Sequence, residues 1–249
     1  LFRLLPAKYS QSNEWLSSPR GRLFVQYECD LLRQLLPRLT GYRCIQVGSW
    51  GFDRCELARA GTLCQWRVGV GDDPTADIIF DGRHLPLASG SVDAIVLAHG
   101  LEQVADPHAL LRECARVLSD RGQIVVLAFN PLSLWALRQG LRTRRSPRFR
   151  PCSAPPSAGR LCDWFHLLDL APEQIWRYGL GFPFFGNAWQ SGKSARGFAS
   201  VAWCAQAYAM VARRQVAPRT PIARRLGKRH PATAAGLARR GHRGVTCRR

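Results

Sequence analysis

Acid is what this chain has little of: 17 Asp and Glu stand against 36 Lys and Arg in 249 residues. The shortage is uneven. From residue 213 to the end there are 12 basic residues and no acid, which leaves 24 basic against 17 acidic residues for the rest. The body is therefore only moderately basic, and most of the excess belongs to the tail. Long apolar runs are also missing. None reaches the roughly 20 residues that a membrane-spanning helix needs, and Leu1–Ala7 is too short for a signal peptide. No transmembrane segment is expected, and the expected location is cytoplasmic. The nine cysteines include no C-x-x-C pair and no zinc-type spacing with histidine, so no metal site is expected. Several fall at apolar positions, where a reduced cysteine acts as a small hydrophobe, as in a reducing compartment. What remains, 46% hydrophobic residues over this length, is enough for one large α/β core.

The most informative stretch runs from Asp81 to Asn130. Ala94-Ile95-Val96-Leu97 and Ile124-Val125-Val126-Leu127 are short, apolar and rich in β-branched residues, as strands buried on both faces are. Between them Asp106-Pro107 supplies an N-cap and an N1 proline. Leu110, Leu111, Cys114, Val117 and Leu118 follow at helical spacing, and Arg121-Gly122 is expected to close the helix. Strand, helix, strand is a right-handed βαβ unit of a parallel sheet. Ligands in such sheets sit at the carboxyl ends of the strands, which makes Asp81-Gly82, His99-Gly100 and Asn130 the first candidates for a site.

The same stretch resembles a family. Leu85-Pro86-Leu87, Ser91-Val92-Asp93, Leu101-Glu102, Asp106-Pro107, and Leu111-Arg112-Glu113 through Arg116-Val117-Leu118 are similar to class I S-adenosylmethionine-dependent methyltransferases of the type-11 group. An uncharacterised bacterial subgroup also shares phrases like Phe129-Asn130-Pro131-Leu132-Ser133-Leu134-Trp135. The resemblance implies a Rossmann-like α/β fold: a mostly parallel seven-stranded sheet with helices on both faces and one antiparallel strand. It also implies S-adenosyl-L-methionine as cofactor, and methyl transfer to an acceptor that the sequence does not identify. A small molecule is favoured over RNA as that acceptor.

In chain order, residues 21–36 read as a helix with Leu23, Tyr27, Leu31, Leu32, Leu35 and Leu36 on one face. Tyr42–Val47 reads as the first strand, and Gly48-Ser49-Trp50-Gly51 as a turn into a helix at about 53–60. Such a turn brings backbone N–H groups and a helix N-terminus to a cofactor. The resemblance makes Gln46, Gly48 and Gly51 first-loop residues, although Gln46 stands where the family usually has an acid and Trp50 where it has a glycine. Cys64–Val70 is the second strand. The carboxylate that binds ribose hydroxyls in this fold falls to Asp72 or Asp73, with a plain turn before Pro74 as the other reading. Only Gly71–Thr75 separates this strand from a third at Ala76–Phe80, too few residues for a crossover helix.

Asp81 then matches the acid that reads the adenine amino group in the family, and Gly82 permits close approach. Ala98 and His99 abut the methionine part of the cofactor, and His99 is the candidate proton acceptor, since histidine titrates near neutral pH. Glu102 reads as a helix-start or surface residue. Asn130 is a candidate acceptor-lining residue. Asn130-Pro131 lacks the second proline and aromatic of an N-P-P-Y motif, and Gly192-Lys193-Ser194 lacks the spacing of a Walker A loop.

Three domain segments are expected: an N-terminal helical segment over 1–40, a methyltransferase domain over 41–213 and a tail over 214–249. Within the domain, residues 138–160 are basic and proline-rich, and read as a mobile loop. Leu161–Leu170 is helix-like, and Glu173–Leu180 with Gln206–Arg213 forms a final antiparallel pair. The tail is expected to be disordered. It either attracts RNA or an anionic surface weakly and without specificity or is simply solvated; it lacks aromatics for base stacking. A second reading of the whole follows from that chemistry: a catalytically inactive methyltransferase-like module that holds RNA or another polyanion through its basic loop and tail.

Overall fold

The computed structural model of the chain describes residues 19–48, 57–71, 73, 75–133, 136, 155–179 and 205–215. These build one seven-stranded sheet. In chain order the elements are α1 (Pro19–Leu35), β1 (Thr40–Val47), β2 (Gly61–Val70), β3 (Ile78–Phe80), β4 (Val92–Ala98), α2 (Pro107–Val117), β5 (Leu118–Phe129), α3 (Ala158–Leu167), β6 (Leu170–Tyr178) and β7 (Ala207–Arg214). The strand order is β3-β2-β1-β4-β5-β7-β6. All neighbours pair in parallel except β7, which runs antiparallel to both β5 and β6. The expected mostly parallel sheet with one antiparallel strand is therefore present, with the final pair where Gln206–Arg213 and Glu173–Leu180 were expected.

Alternation sorts the central strands between two cores. On β5, Val125, Leu127 and Phe129 face Phe24, Leu31, Leu32 and Leu35 of α1. Ile124, Val126 and Ala128 face the other layer, with Leu110, Leu111 and Cys114 of α2 and Leu161 and Phe165 of α3. Helices thus cover both faces. The expected Leu31, Leu32, Leu35 and Leu36 are buried, but in the first turns of α1 Phe24 is buried whereas Leu23 is 54% exposed.

Two expectations about connections are corrected. Asp106 caps α2 as predicted, its carboxylate accepting from Ala109 N–H at 3.0 Å, but the helix stops at Val117 rather than near Arg121-Gly122. Leu118 pairs with Val92 and opens β5, and Arg214 donates to the Ala115 and Leu118 carbonyls that the helix end leaves over. The link between β2 and β3 is as short as the sequence implied, yet both strands are real and parallel. Crossover length scales with the distance the chain must travel back. β3 has only three residues and pairs Val68–Val70 with Ile78–Phe80, so a turn suffices.

The block that carries the family resemblance is a brace. Glu113 accepts from Leu85 N–H at 3.1 Å, and Arg116 donates to the carbonyls of Leu85 and Leu87 and to Ser89. Asp93 accepts from the N–H groups of Tyr42 and Arg43 and from the Ser119 hydroxyl, which ties the starts of β1, β4 and β5 together.

Candidate functional site at the carboxyl edge of the sheet

The carboxyl ends of β1 and β4 meet backbone to backbone. Gly48 has φ +90, and a Cβ placed there would stand 2.6 Å from the Ala98 carbonyl oxygen and 3.0 Å from Gly100 Cα. A Cβ on Gly100 would in turn stand 2.8 Å from the Val47 carbonyl oxygen. Both glycines are required by this crossing, since neither backbone can retreat without breaking the sheet. Gln46 is buried beside them, and its side-chain amide donates to the Gly48 carbonyl at 2.9 Å. Gly51 and Asp72 lie outside the described residues, as do residues 138–154 of the basic loop and the tail beyond Gln215. Asp73 is buried and accepts from the Thr75 N–H and hydroxyl, so its carboxylate is engaged in the turn after β2. The helix α3 begins at Ala158, so the last residues of the expected loop are helical.

At the end of β3, Asp81 is exposed and closes an Asx turn, its Oδ1 accepting from His84 and Arg83 N–H at 3.0 and 2.8 Å. Those two bonds hold its carboxyl below the usual carboxylate range, so it is an anion at neutral pH. Gly82 follows with φ +81 against Val70 and Val104.

His99 departs from its expected role. It is 1% exposed and sits in the left-handed region at φ 52, ψ 26, rare for a residue with a side chain. Its Nε2 lies 3.0 Å from Glu28 Oε1 of α1, and its Nδ1 lies 3.4 Å from Glu102 Oε1 in the turn after β4. Burial by itself would lower the pKa of the ring. The two carboxylates outweigh burial and raise it to about 10. The structure places His99 in the core with both ring nitrogens facing carboxyl groups, rather than open at the sheet edge. The rings of Phe129, at 4.4 Å between centroids, and Phe24, at 6.1 Å, flank it.

Glu28 also accepts a short hydrogen bond from the Tyr178 hydroxyl at the end of β6. Glu102 Oε1 accepts from Phe129 N–H at 2.7 Å. One cluster therefore joins α1 to the ends of β4, β5 and β6. Within it Glu28 Oε2 and Glu102 Oε2 are buried without a hydrogen-bond partner among the described residues. Glu102 is thus corrected from a surface residue to a buried one, and Glu28 is a residue that sequence reasoning missed. The signal was available, because 24, 28, 31, 32 and 35 form the apolar stripe of α1 and an acid stands in it.

Asn130 is buried too. Its Nδ2 donates to the Ala205 carbonyl at 2.9 Å and its Oδ1 accepts from Leu132 N–H at 3.1 Å. Each end of the amide is bonded to backbone, so Asn130 ties the end of β5 to the residues that lead into β7.

Comparisons with known proteins agree with this architecture. Residues 63–126 match the methyltransferase domain family of type 11. The uncharacterised YafS protein of Escherichia coli is 38% identical over 129 residues, which are 50% of this chain and 51% of that protein. A demethylmenaquinone methyltransferase of Corynebacterium glutamicum is 34% identical over 82 residues, 30% of this chain and 36% of that one. The chain thus spans about half or less of these curated relatives. Among solved structures, an S-adenosylmethionine-dependent methyltransferase from Thermotoga maritima superposes with a TM-score of 0.53 at 14% identity, over 83% of this chain and all of that one. In its central block this chain is therefore similar to the type-11 methyltransferase domain family, and its sheet has the fold of S-adenosylmethionine-dependent methyltransferases.

Proposed function

We propose that the protein transfers the methyl group of S-adenosylmethionine to an acceptor, and that the acceptor is a small molecule rather than RNA. The observation that carries this reading is the exposed, ionised Asp81 at the carboxyl end of β3, within the stretch that matches the methyltransferase domain family. An anionic acceptor beside a glycine suits the amino group and flat face of adenine. Asp81 and Gly82 would hold that ring. Gln46, Gly48 and Gly51 would shape the first loop and Asp72 would take the ribose hydroxyls, while Ala98 and His99 would line the methionine end. The cofactor, when bound, supplies an activated methyl group on a sulfonium. The chain contributes alignment of acceptor and sulfonium, which many methyl transfers need most. No proton acceptor is assigned, because both ring nitrogens of His99 face carboxyl groups in the core. Preference for a small acceptor is supported by the curated relatives named for demethylmenaquinone.

Calorimetric titration with S-adenosylmethionine and S-adenosylhomocysteine tests this reading. Both should bind, and Asp81→Asn, which keeps the turn and removes the charge, should weaken both by about 1–3 kcal/mol. A folded protein that gives no heat with either ligand would overturn the enzyme reading and favour the inactive, polyanion-holding module.

A further inference from the structure

The cluster around His99 costs more than a core of this kind needs. Two glutamates and a histidine are buried together, two of the glutamate oxygens find no partner among the described residues, and His99 takes a backbone conformation suited to glycine. Apolar side chains of similar volume would hold α1 to the sheet as well or better. What they would not do is fix one conformation of residues 98–100. That conformation matters, because Ala98 and Gly100 are the backbone against which Gly48 lies. A small rotation at His99 would shift the Ala98 carbonyl against Gly48.

We propose that Glu28 is a positioning residue for the cofactor site: by gripping the His99 ring from α1, it holds the His99–Gly100 backbone against Gly48 at the carboxyl end of β1. The proposal rests on the methyltransferase reading and adds to it a residue from outside the matched 63–126 stretch. Glu28 acts from α1, Glu102 grips the opposite ring nitrogen from the turn after β4, and Tyr178 of β6 steadies Glu28. The Tyr208 hydroxyl of β7 lies within the field of Glu102 and donates to the Pro156 carbonyl. Glu28 and Glu102 thus meet the two nitrogens of the ring from opposite sides.

The test uses the full chain and two ligands, S-adenosylhomocysteine and 5′-methylthioadenosine, which lacks the amino-acid part. In Glu28→Gln the shape is kept and the carboxyl that raises the His99 pKa is lost, so His99, followed by nitrogen NMR, should begin to titrate between about pH 5 and pH 8. Affinity for S-adenosylhomocysteine should then fall about fivefold or more as pH rises across that titration. In the wild-type protein it should stay flat over the same range, and methylthioadenosine should change less than S-adenosylhomocysteine. If Glu28→Gln does not fold, Tyr178→Phe loosens the same carboxylate and should show the same coupling in weaker form. A lower melting temperature with an unchanged, pH-independent affinity would overturn the proposal and leave Glu28 a structural residue. Absence of binding to wild type would instead remove the methyltransferase reading, while the NMR titration would still show whether Glu28 holds the ring charged.

Discussion

The two ends of the sheet handle their polar groups differently. At the amino end of β4, Asp93 of the strand and Glu113 and Arg116 of α2 are partly exposed, and each one closes bonds that strands or loops would otherwise leave open. At the carboxyl end, Glu28, His99 and Glu102 are almost wholly buried, and two of their oxygens are without partners among the described residues. The first arrangement is what stability alone selects. The second spends stability on a fixed geometry, and such places are where sites are found. The segment with the most recognisable sequence is the brace, whereas the residues that hold the site rigid include one from a helix outside it.

The largest effect should come from forcing the carboxyl edge apart. Gly48→Ala puts a Cβ 2.6 Å from a backbone oxygen at a positive φ, so neither side-chain rotation nor a small shift relieves it. Chemical denaturation should report a loss of about 3 kcal/mol or more, and cofactor binding should be lost with it. A variant of wild-type stability would mean that β1 and β4 do not cross as described. Breaking the brace should cost less and cost only stability. Arg116→Ala removes donors from Leu85, Leu87, Ser89 and Glu113 at a partly exposed position. About 1–2 kcal/mol should be lost, with affinity for S-adenosylhomocysteine unchanged once the protein is folded. If that affinity fell as far as it does in the Asp81 variant, the division between brace and site would be wrong.

Much of this was legible before any coordinates. The strands β4 and β5 announce themselves by β-branched runs, and Asp106-Pro107 marks the start of α2, because caps and propensities act locally. The end of α2 was not legible, since Leu118 fits the helical stripe and only its pairing with Val92 reveals it as strand. The tight β2–β3 link contradicted a rule of thumb that assumes full-length strands. At the site, the positions of Asp81 and His99 were readable from where strands end, but the state of His99 was not. Its charge depends on Glu28, 71 residues away in sequence, and apolar periodicity passes over an acid in a stripe.

The smallest effects should be opposite in sign at the two ends. Burial works against ionisation of Asp93, but the N–H groups of Arg43 and Tyr42, the Ser119 hydroxyl and the Arg43 charge outweigh it and hold its carboxyl below the usual value. A lowered carboxylate contributes stability that is present above its unfolded pKa near 3.9 and is lost as pH falls through the folded value. Because the group is partly exposed and screened, the loss attributable to it should be about 1 kcal/mol or less. His99 runs the other way. Its pKa is raised to about 10, so its contribution is full below the unfolded value near 6.5 and declines as pH rises toward 10. Denaturant midpoints followed across pH should therefore flatten on the acid side in Asp93→Asn and on the alkaline side in His99→Gln. If His99→Gln left the alkaline limb unchanged, the ring would not be the buried cation that ties α1 to the sheet, and the contrast between the two ends would lose its electrostatic basis.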